Sequence, residues 1–346
     1  MRYRVFGRSG LKVSEICLGT MTFGEDWGFG ASKEESRRQF DVFAKAGGNF
    51  IDTANVYTRG TSERFVGEFV KSDRDCFVVA TKYSIATRFD DINAWGNSRK
   101  NLVQSVDASL QRLGLDRIDL YWVHVADHLT PAHEMMRALD DVVRAGKVIY
   151  VGVSDAPAWQ VSQANTLAEL RGWSRFVGLQ IEYSLIERTP ERELLPMAEA
   201  LGLAVTPWGP IGGGVLSGKY SVGWETPDSK RVAANRHRFS DRNMKIAGEV
   251  SVVAKELGRS SAQVAIAWVM GRGPNGTIPI VGARTAAQLQ DSLGAVDVVL
   301  SPDMLARLDG ASKVELGFPH DFLARPTMAQ ALRGDLGDKL IPPNHK

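Results

Sequence analysis

The sequence predicts an α/β protein built as a (β/α)₈ TIM barrel, with an N-terminal β-hairpin before the first barrel strand and a C-terminal tail near the barrel mouth. Three observations predict it. Eight short apolar or β-branched runs recur along 346 residues. Each is followed by a longer amphipathic stretch, the alternation of a parallel sheet covered by helices. No G-x-G-x-x-G joins a strand to a helix, which is the fingerprint an open dinucleotide-binding sheet would carry. The nearest pair, Gly28 and Gly30, lacks the third glycine.

In chain order, Tyr3–Phe6 and Leu11–Val13 flank Gly7-Arg-Ser-Gly10 and read as a small hairpin at the barrel floor. The barrel strands are expected at Ile16–Leu18, Phe50–Asp52, Phe77–Thr81, Ile118–Val123, Val148–Val153, Val177–Gln180, Ala204–Pro207 and Thr277–Val281. Several are apolar on both faces, as a buried parallel sheet requires. Between them, Lys33–Ala46 places Phe40, Phe43, Ala44 and Ala46 at helical spacing, and Leu102–Leu113 does the same with Leu102, Val106, Ser109, Leu110 and Leu113. Ser32 with Glu35 predicts a capping box, and Gly47-Gly48 stops that helix. Thr130-Pro131 opens a helix that Ala145-Gly146 closes. The stretch from Lys219 to Asn243 has little periodicity and is expected to be a long loop, and the tail from Val314 is rich in Gly and Pro. With no repeat beyond the βα alternation and no linker, residues 1–346 are expected to form one domain.

Bulk properties narrow the function. A net charge of +2 with scattered basic residues gives no footprint for nucleic acid. No stretch approaches the ~20 apolar residues of a membrane helix, and the first residues lack a signal-peptide core, so a cytoplasmic protein is expected. Cys17 and Cys76 both lie in apolar runs and are expected to be buried free thiols.

Function in such a barrel sits at the carboxyl ends of the strands. There the sequence places Asp52 after the second strand, Tyr57 in the following loop, Lys82 after the third and His124 after the fourth. A phenol of pKa about 10 exchanges protons poorly at neutral pH. A neighbouring ammonium is expected to lower that value, with Asp52 holding Lys82 charged and His124 meeting the substrate oxygen. Together they form a general acid for a carbonyl oxygen that gains negative charge as hydride arrives. Two segments suit phosphates: Gly212-Gly-Gly214 after the seventh strand, and Gly282-Ala-Arg-Thr285 after the eighth, which opens the helix Ala286–Leu293.

A series of strings resembles the aldo-keto reductase family along nearly the whole chain. They include Gly19-Thr-Met-Thr-Phe-Gly24, Phe50-Ile-Asp-Thr-Ala-Asn-Val-Tyr57, Val78-Val-Ala-Thr-Lys82, Ser98-Arg-Lys-Asn101 and Asp116-Arg-Ile-Asp-Leu-Tyr-Trp-Val-His124. Gly146-Lys-Val-Ile-Tyr-Val-Gly-Val-Ser154, Gln180-Ile-Glu-Tyr-Ser184, Pro207–Tyr220 and Ile278-Pro-Ile-Val-Gly-Ala-Arg284 continue it. The resemblance implies an NADPH-dependent oxidoreductase acting on a small-molecule carbonyl or alcohol. Asp52, Tyr57, Lys82 and His124 would be its catalytic tetrad, with Tyr57 the proton donor in reduction.

The resemblance also implies a binding site for NADP. Trp208 would stack on the nicotinamide, whose carboxamide Ser154, Asp155 and Gln180 would hold. Gly209, Pro210, Ile211, Gly212, Leu216 and Lys219 would line the pyrophosphate path. Arg284 would meet the 2′-phosphate, and Gln288, Asp291 and Ser292 the adenosine, with Gly19, Thr20, Met21 and Gly282 completing the site. Two positions depart from the family pattern: Asp155 stands where Asn is usual, and Ser292 where Asn is frequent. An ionised Asp155 accepts from a carboxamide NH₂ but donates nothing to its oxygen. Trp27, Phe89, Trp95 and Trp224 fall in rim loops, where they either shape an apolar pocket or pack the loops. Two other functions stay open: an accessory subunit retaining the nucleotide as a sensor, and a metal-dependent hydrolase on the same fold. No metal site is expected: His124, Asp127, His128, His133 and Glu134 cluster in sequence, but Lys82 on the adjacent strand end would oppose a dication.

Overall fold

The structure is a computed structural model that describes residues 1–220, 236–273 and 276–340. Two short strands, β1 (Tyr3–Val5) and β2 (Lys12–Ser14), form the expected antiparallel hairpin, with Arg4 opposite Val13. Eight parallel strands follow: β3 (Cys17–Gly19), β4 (Phe50–Asp52), β5 (Val78–Tyr83), β6 (Ile118–Val123), β7 (Val148–Ser154), β8 (Phe176–Glu182), β9 (Ala204–Trp208) and β10 (Ile280–Val281). They pair in the order β10-β3-β4-β5-β6-β7-β8-β9.

The barrel closes where the Ile278 N–H donates to the Val205 carbonyl at 2.9 Å. The eighth strand is shorter than the expected Thr277–Val281 because Pro279 has no N–H to give a ladder. Its carbonyl still accepts from Cys17 N at 3.0 Å.

Helices cover the outside, and their ends follow local chemistry. Helix α1 (Lys33–Lys45) starts at Ser32, whose side chain accepts from Glu35 N. Only half of the expected capping box forms. The Glu35 carboxylate instead accepts from Ala286 N at 2.5 Å and pairs with Arg38. The next helix, α2 (Thr61–Val70), carries Glu63, which binds Thr81 and Arg112. Helix α3 (Arg99–Leu113) begins three residues before the apolar pattern because Ser98 caps it, and Gly114 ends it in the left-handed region.

Two apolar clusters result. One lies between the strands and helices and includes Phe40, Phe43, Val79, Tyr83, Val106 and Tyr121. The other fills the barrel interior with Phe6, Phe50, Ala80, Leu120 and Trp122. Phe6, from the hairpin turn, meets Phe50 edge-on at 5.6 Å and Trp122 at 6.4 Å, so the hairpin seals the barrel floor. Gly152 is required beside it, since a Cβ there would stand 2.4 Å from the Trp122 ring.

Cys17 is buried, but Cys76 is exposed, contrary to expectation. It ends the 3₁₀ turn Lys71–Cys76, and the buried strand starts two residues later at Val78. Among the described residues no helix is long and apolar enough to cross a membrane. The chain divides into two compact units, Met1–Ser312 with the barrel and Lys313–Lys346. The second contains the short helices His320–Leu323 and Pro326–Arg333. Most of the stretch 219–243, with Trp224, lies outside the described residues.

Candidate active site

Side chains alternate along a strand, so position in β5 decides what faces inward. Val79 and Tyr83 join the outer cluster, while Ala80 joins the inner one, and Lys82 therefore enters the barrel at its carboxyl end. In register, Asp52 of β4 stands beside Ala80, one inward position below Lys82. Lys82 Nζ donates to Asp52 Oδ2, to the Thr53 carbonyl at 2.8 Å and to the Tyr57 hydroxyl at 3.1 Å. Its three N–H bonds are thus all used. The other Asp52 oxygen accepts from Gln180 Nε2 at 3.1 Å, tying β8 into the same group. His124 meets the Tyr57 ring edge-on, 6.0 Å between centroids. The four predicted residues therefore converge.

Lys82 and Asp52 are 0% and 2% exposed, so their charges are held without water. Burial favours the neutral amine, yet Asp52 and Tyr57 outweigh it and keep the Lys82 ammonium above its ordinary range. Burial pushes the Tyr57 hydroxyl up, with Lys82 opposing and Asp52 adding to the rise. The expectation of a lowered phenol is corrected: with one cation facing a carboxylate as well as the phenol, desolvation wins. Tyr57 is consequently a protonated acid at neutral pH. Burial, helped by Lys82, holds His124 well below its ordinary value, so its ring is neutral. Two strained residues support the rim. Ser84, at φ +109°, accepts from His124 N at 3.2 Å through its hydroxyl, and Asp155 sits at φ +44°.

A cavity of about 530 Å³ opens above this group, lined by Asp52, Tyr57, His124, Asp155, Gln180 and Trp208. Gly19, Thr20, Met21, Gly209, Pro210, Ile211, Gly282 and Ser292 also line it. Trp27 is on its wall, 6.4 Å from Tyr57 and edge-on, whereas Phe89 (98% exposed) and Trp95 do not line it. The sequence reading missed Phe29, Val56, Ile85 and Arg238, which also line the cavity. Phe29 and Ile85 sit in the same rim loops as Trp27 and Trp95, and Val56 precedes Tyr57, so loop position was their available signal.

Of the remaining predicted positions, Gly213 lines the cavity wall, whereas Ser154, Gly212, Gly214, Leu216, Lys219, Arg284, Gln288 and Asp291 do not. Ser154 is fully buried and its hydroxyl has no hydrogen bond of good geometry among the described residues. Gly212, Gly213 and Gly214 all adopt positive φ (57°, 66° and 108°), which explains why three glycines stand there. Leu216 is packed in the outer core, and Lys219 is exposed. At the helix Ala286–Leu293, the donors an anion would use are partly taken. Ala286 N binds Glu35, Gln288 N binds Thr285 Oγ1, and Arg284 N binds the Gln288 side chain. Arg284 is exposed. Asp291 accepts from Ser260 Oγ at 2.8 Å and Gln263 Nε2 at 3.2 Å. Asp155 accepts from Trp208 Nε1 at 3.1 Å. Burial raises its carboxyl, and the indole hydrogen bond opposes this. Asp127, one of the acids weighed for a metal, is occupied by Asn97 N, Leu129 N, Thr130 N and the Thr130 hydroxyl.

Residues 15–313 match the profile of the aldo/keto reductase family. Norsolorinic acid reductase of Aspergillus flavus is 35% identical over 98% of this chain and 88% of its own. Norsolorinic acid reductase B of Aspergillus parasiticus is 38% identical over 95% and 89%. An aryl-alcohol dehydrogenase [NADP(+)] of Phanerodontia chrysosporium is 37% identical over 90% and 86%. The chain belongs to the aldo/keto reductase family and is an oxidoreductase working between carbonyl and alcohol.

Proposed function

We propose that this protein reduces an aldehyde or ketone with NADPH, or runs in reverse on the alcohol, with Tyr57 as general acid or base. One observation carries the reading: the Tyr57 hydroxyl lines the cavity 3.1 Å from an ammonium that is itself locked on a buried carboxylate. In reduction Tyr57 gives its proton to the carbonyl oxygen. Lys82 stabilises the phenolate left behind, and Asp52 and the Thr53 carbonyl keep Lys82 charged and aimed. The neutral His124 ring offers one N–H to the same oxygen and helps orient it.

NADP(H), when bound, supplies or accepts the hydride. The residues present fit such a group. Trp208 offers an aromatic platform on the cavity wall, and the buried Ser154 hydroxyl, which has no hydrogen bond of good geometry among the described residues, is a group that a carboxamide would satisfy. The left-handed backbone at Gly212–Gly214 leaves room for close approach to phosphates. Arg284, exposed beyond β10, is the residue we assign to the 2′-phosphate. The remaining cofactor contacts are those that the family resemblance implies. The name of the aryl-alcohol dehydrogenase relative points to an aryl substrate, and Trp27, Phe29 and Ile85 give the cavity an apolar, largely aromatic wall suited to one.

Titrating NADPH and NADH against tryptophan fluorescence, then screening aromatic aldehydes and alcohols with wild type and Tyr57→Phe, tests the reading. NADPH should bind more tightly than NADH. Tyr57→Phe should lose roughly 10²–10⁴ of the turnover while keeping NADPH affinity. Full turnover by a folded Tyr57→Phe would remove Tyr57 from its role, and absence of nicotinamide binding would remove the function.

A further inference from the structure

Arg238 ends a short 3₁₀ turn, Arg236–Arg238, just before the helix Asp241–Leu257. Its guanidinium forms an ion pair with Glu182 and lies over the Trp208 indole, 6.0 Å from the ring centroid. Glu182 is the last residue of β8 and stands in register with Trp208 on β9. A Cβ on Gly209 would be 4.0 Å from Glu182 Oε1, so this pair sits where the aromatic platform gives way to the glycine-rich loop. Arg238 Nε is buried and has no hydrogen-bond partner among the described residues. Among the described residues lining the cavity, the carboxylic acids are Asp52 and Asp155, and Arg238 is the one cation.

We propose that Arg238 is a ligand for the diphosphate of the nicotinamide cofactor, held in reserve by Glu182 until the diphosphate takes it over. This rests on the NADP(H) reading above. The physical reason is a competition for one guanidinium. Among the described residues, Arg238 pairs with the carboxylate of Glu182, and its Nε donor is unused. A diphosphate entering beside Gly209 offers two negative charges and several acceptor oxygens, which suit the planar fork of an arginine better than one carboxylate does. The cation–π contact keeps the guanidinium next to the platform where the cofactor must arrive, so the exchange needs only a short swing of the side chain. Glu182 therefore restrains binding in two ways: it occupies Arg238, and it places a negative charge near the incoming phosphates.

The two partners should affect affinity in opposite directions, which a merely structural ion pair would not do. Dissociation constants for NADPH are measured by calorimetry and by tryptophan fluorescence for wild type, Arg238→Ala, Arg238→Lys, Glu182→Gln and the double variant Arg238→Ala/Glu182→Gln. Thermal melts check the fold of each. Arg238→Ala should weaken NADPH at least tenfold, and Arg238→Lys should recover part of the loss. Glu182→Gln should tighten NADPH at least threefold, and most of that gain should vanish in the double variant. The proposal is overturned if Arg238→Ala leaves the affinity within twofold of wild type or tightens it, or if Glu182→Gln weakens it. Wild type that binds no nicotinamide nucleotide would defeat this proposal and the functional reading together. Tight wild-type binding that ignores Arg238 defeats this one alone.

Discussion

Replacing Lys82 by Met tests the buried centre most directly, because it removes a charge and leaves its partner. Lys82 is fully buried and bonded to Asp52, Thr53 and Tyr57. In Lys82→Met, Asp52 loses its cation and keeps neutral donors, chiefly the Gln180 amide at 3.1 Å. Breaking a buried pair in this way costs about 3–5 kcal/mol, a large share of the roughly 5–15 kcal/mol that holds a domain together. The size should depend on pH. Burial already raises the Asp52 carboxyl, and Lys82 is the main force opposing it. Without Lys82 the folded state binds a proton on Asp52 more tightly than the unfolded chain does. The sign follows: stability is present below the ordinary carboxylate value of 3.8 and falls as pH rises through the raised folded value. Urea unfolding of Lys82→Met should therefore lie close to wild type near pH 4 and fall short by several kcal/mol near pH 8. Adding Asp52→Asn removes the ionisable acid and should recover a good part of the loss at pH 8 while flattening the pH dependence. A deficit of equal size at pH 4 and pH 8, or none above about 1 kcal/mol at pH 8, would show that the two side chains are not a buried ammonium–carboxylate pair.

Two further outcomes follow from single buried groups. Gln39, on the inner face of α1, is fully buried with neither amide atom hydrogen-bonded among the described residues. Gln39→Leu removes that desolvated amide and should raise stability by about 1–3 kcal/mol in urea unfolding, whereas a loss would mean the amide has a partner in solution. Asp155 is raised by burial, so in wild type its ionisation costs stability increasingly as pH climbs above 3.8. Asp155→Asn keeps an acceptor for Trp208 Nε1 but cannot ionise. Its stability relative to wild type should grow between pH 4 and pH 8, and a difference that stays flat over that range would contradict the burial argument.

Much of the fold was legible because the deciding signals are local. The unbroken apolar run Val78-Val-Ala80 announces a strand buried on both faces, and Gly47 and Gly146, both at positive φ, mark helix ends through backbone chemistry that neighbours hardly alter. Where boundaries moved, a single residue was responsible. Pro279 cannot donate and shortens the last strand, and the turn ending at Cys76 delays the third and leaves that thiol in solvent. The candidate site was legible for a related reason. In a parallel barrel every strand delivers its last inward side chain to the same rim, so Asp52, Lys82 and His124 needed only correct strand ends to be brought together.

What sequence reasoning missed depends on distance along the chain rather than on residue type. Gln180 was read for a carboxamide, and its further bond to Asp52, 128 positions away in sequence, was not foreseen. Glu35 was read as half of a local cap, but its carboxylate holds Ala286, 251 positions away. Arg238 sat in a stretch with no periodicity, and nothing local distinguished it from the scattered arginines around it. Its importance lies in meeting Glu182 and Trp208, which come from two other strands. The same logic bears on the phenol. A lysine next to a tyrosine lowers the phenol's pKa only where its attraction exceeds the desolvation penalty and is not shared with a carboxylate. The packing of eight strands and the loop after β4 removes water, and burial then governs the proton on Tyr57. On the mechanism proposed above, pairing with Lys82 serves less to deprotonate Tyr57 in the resting protein than to receive the charge when the proton leaves.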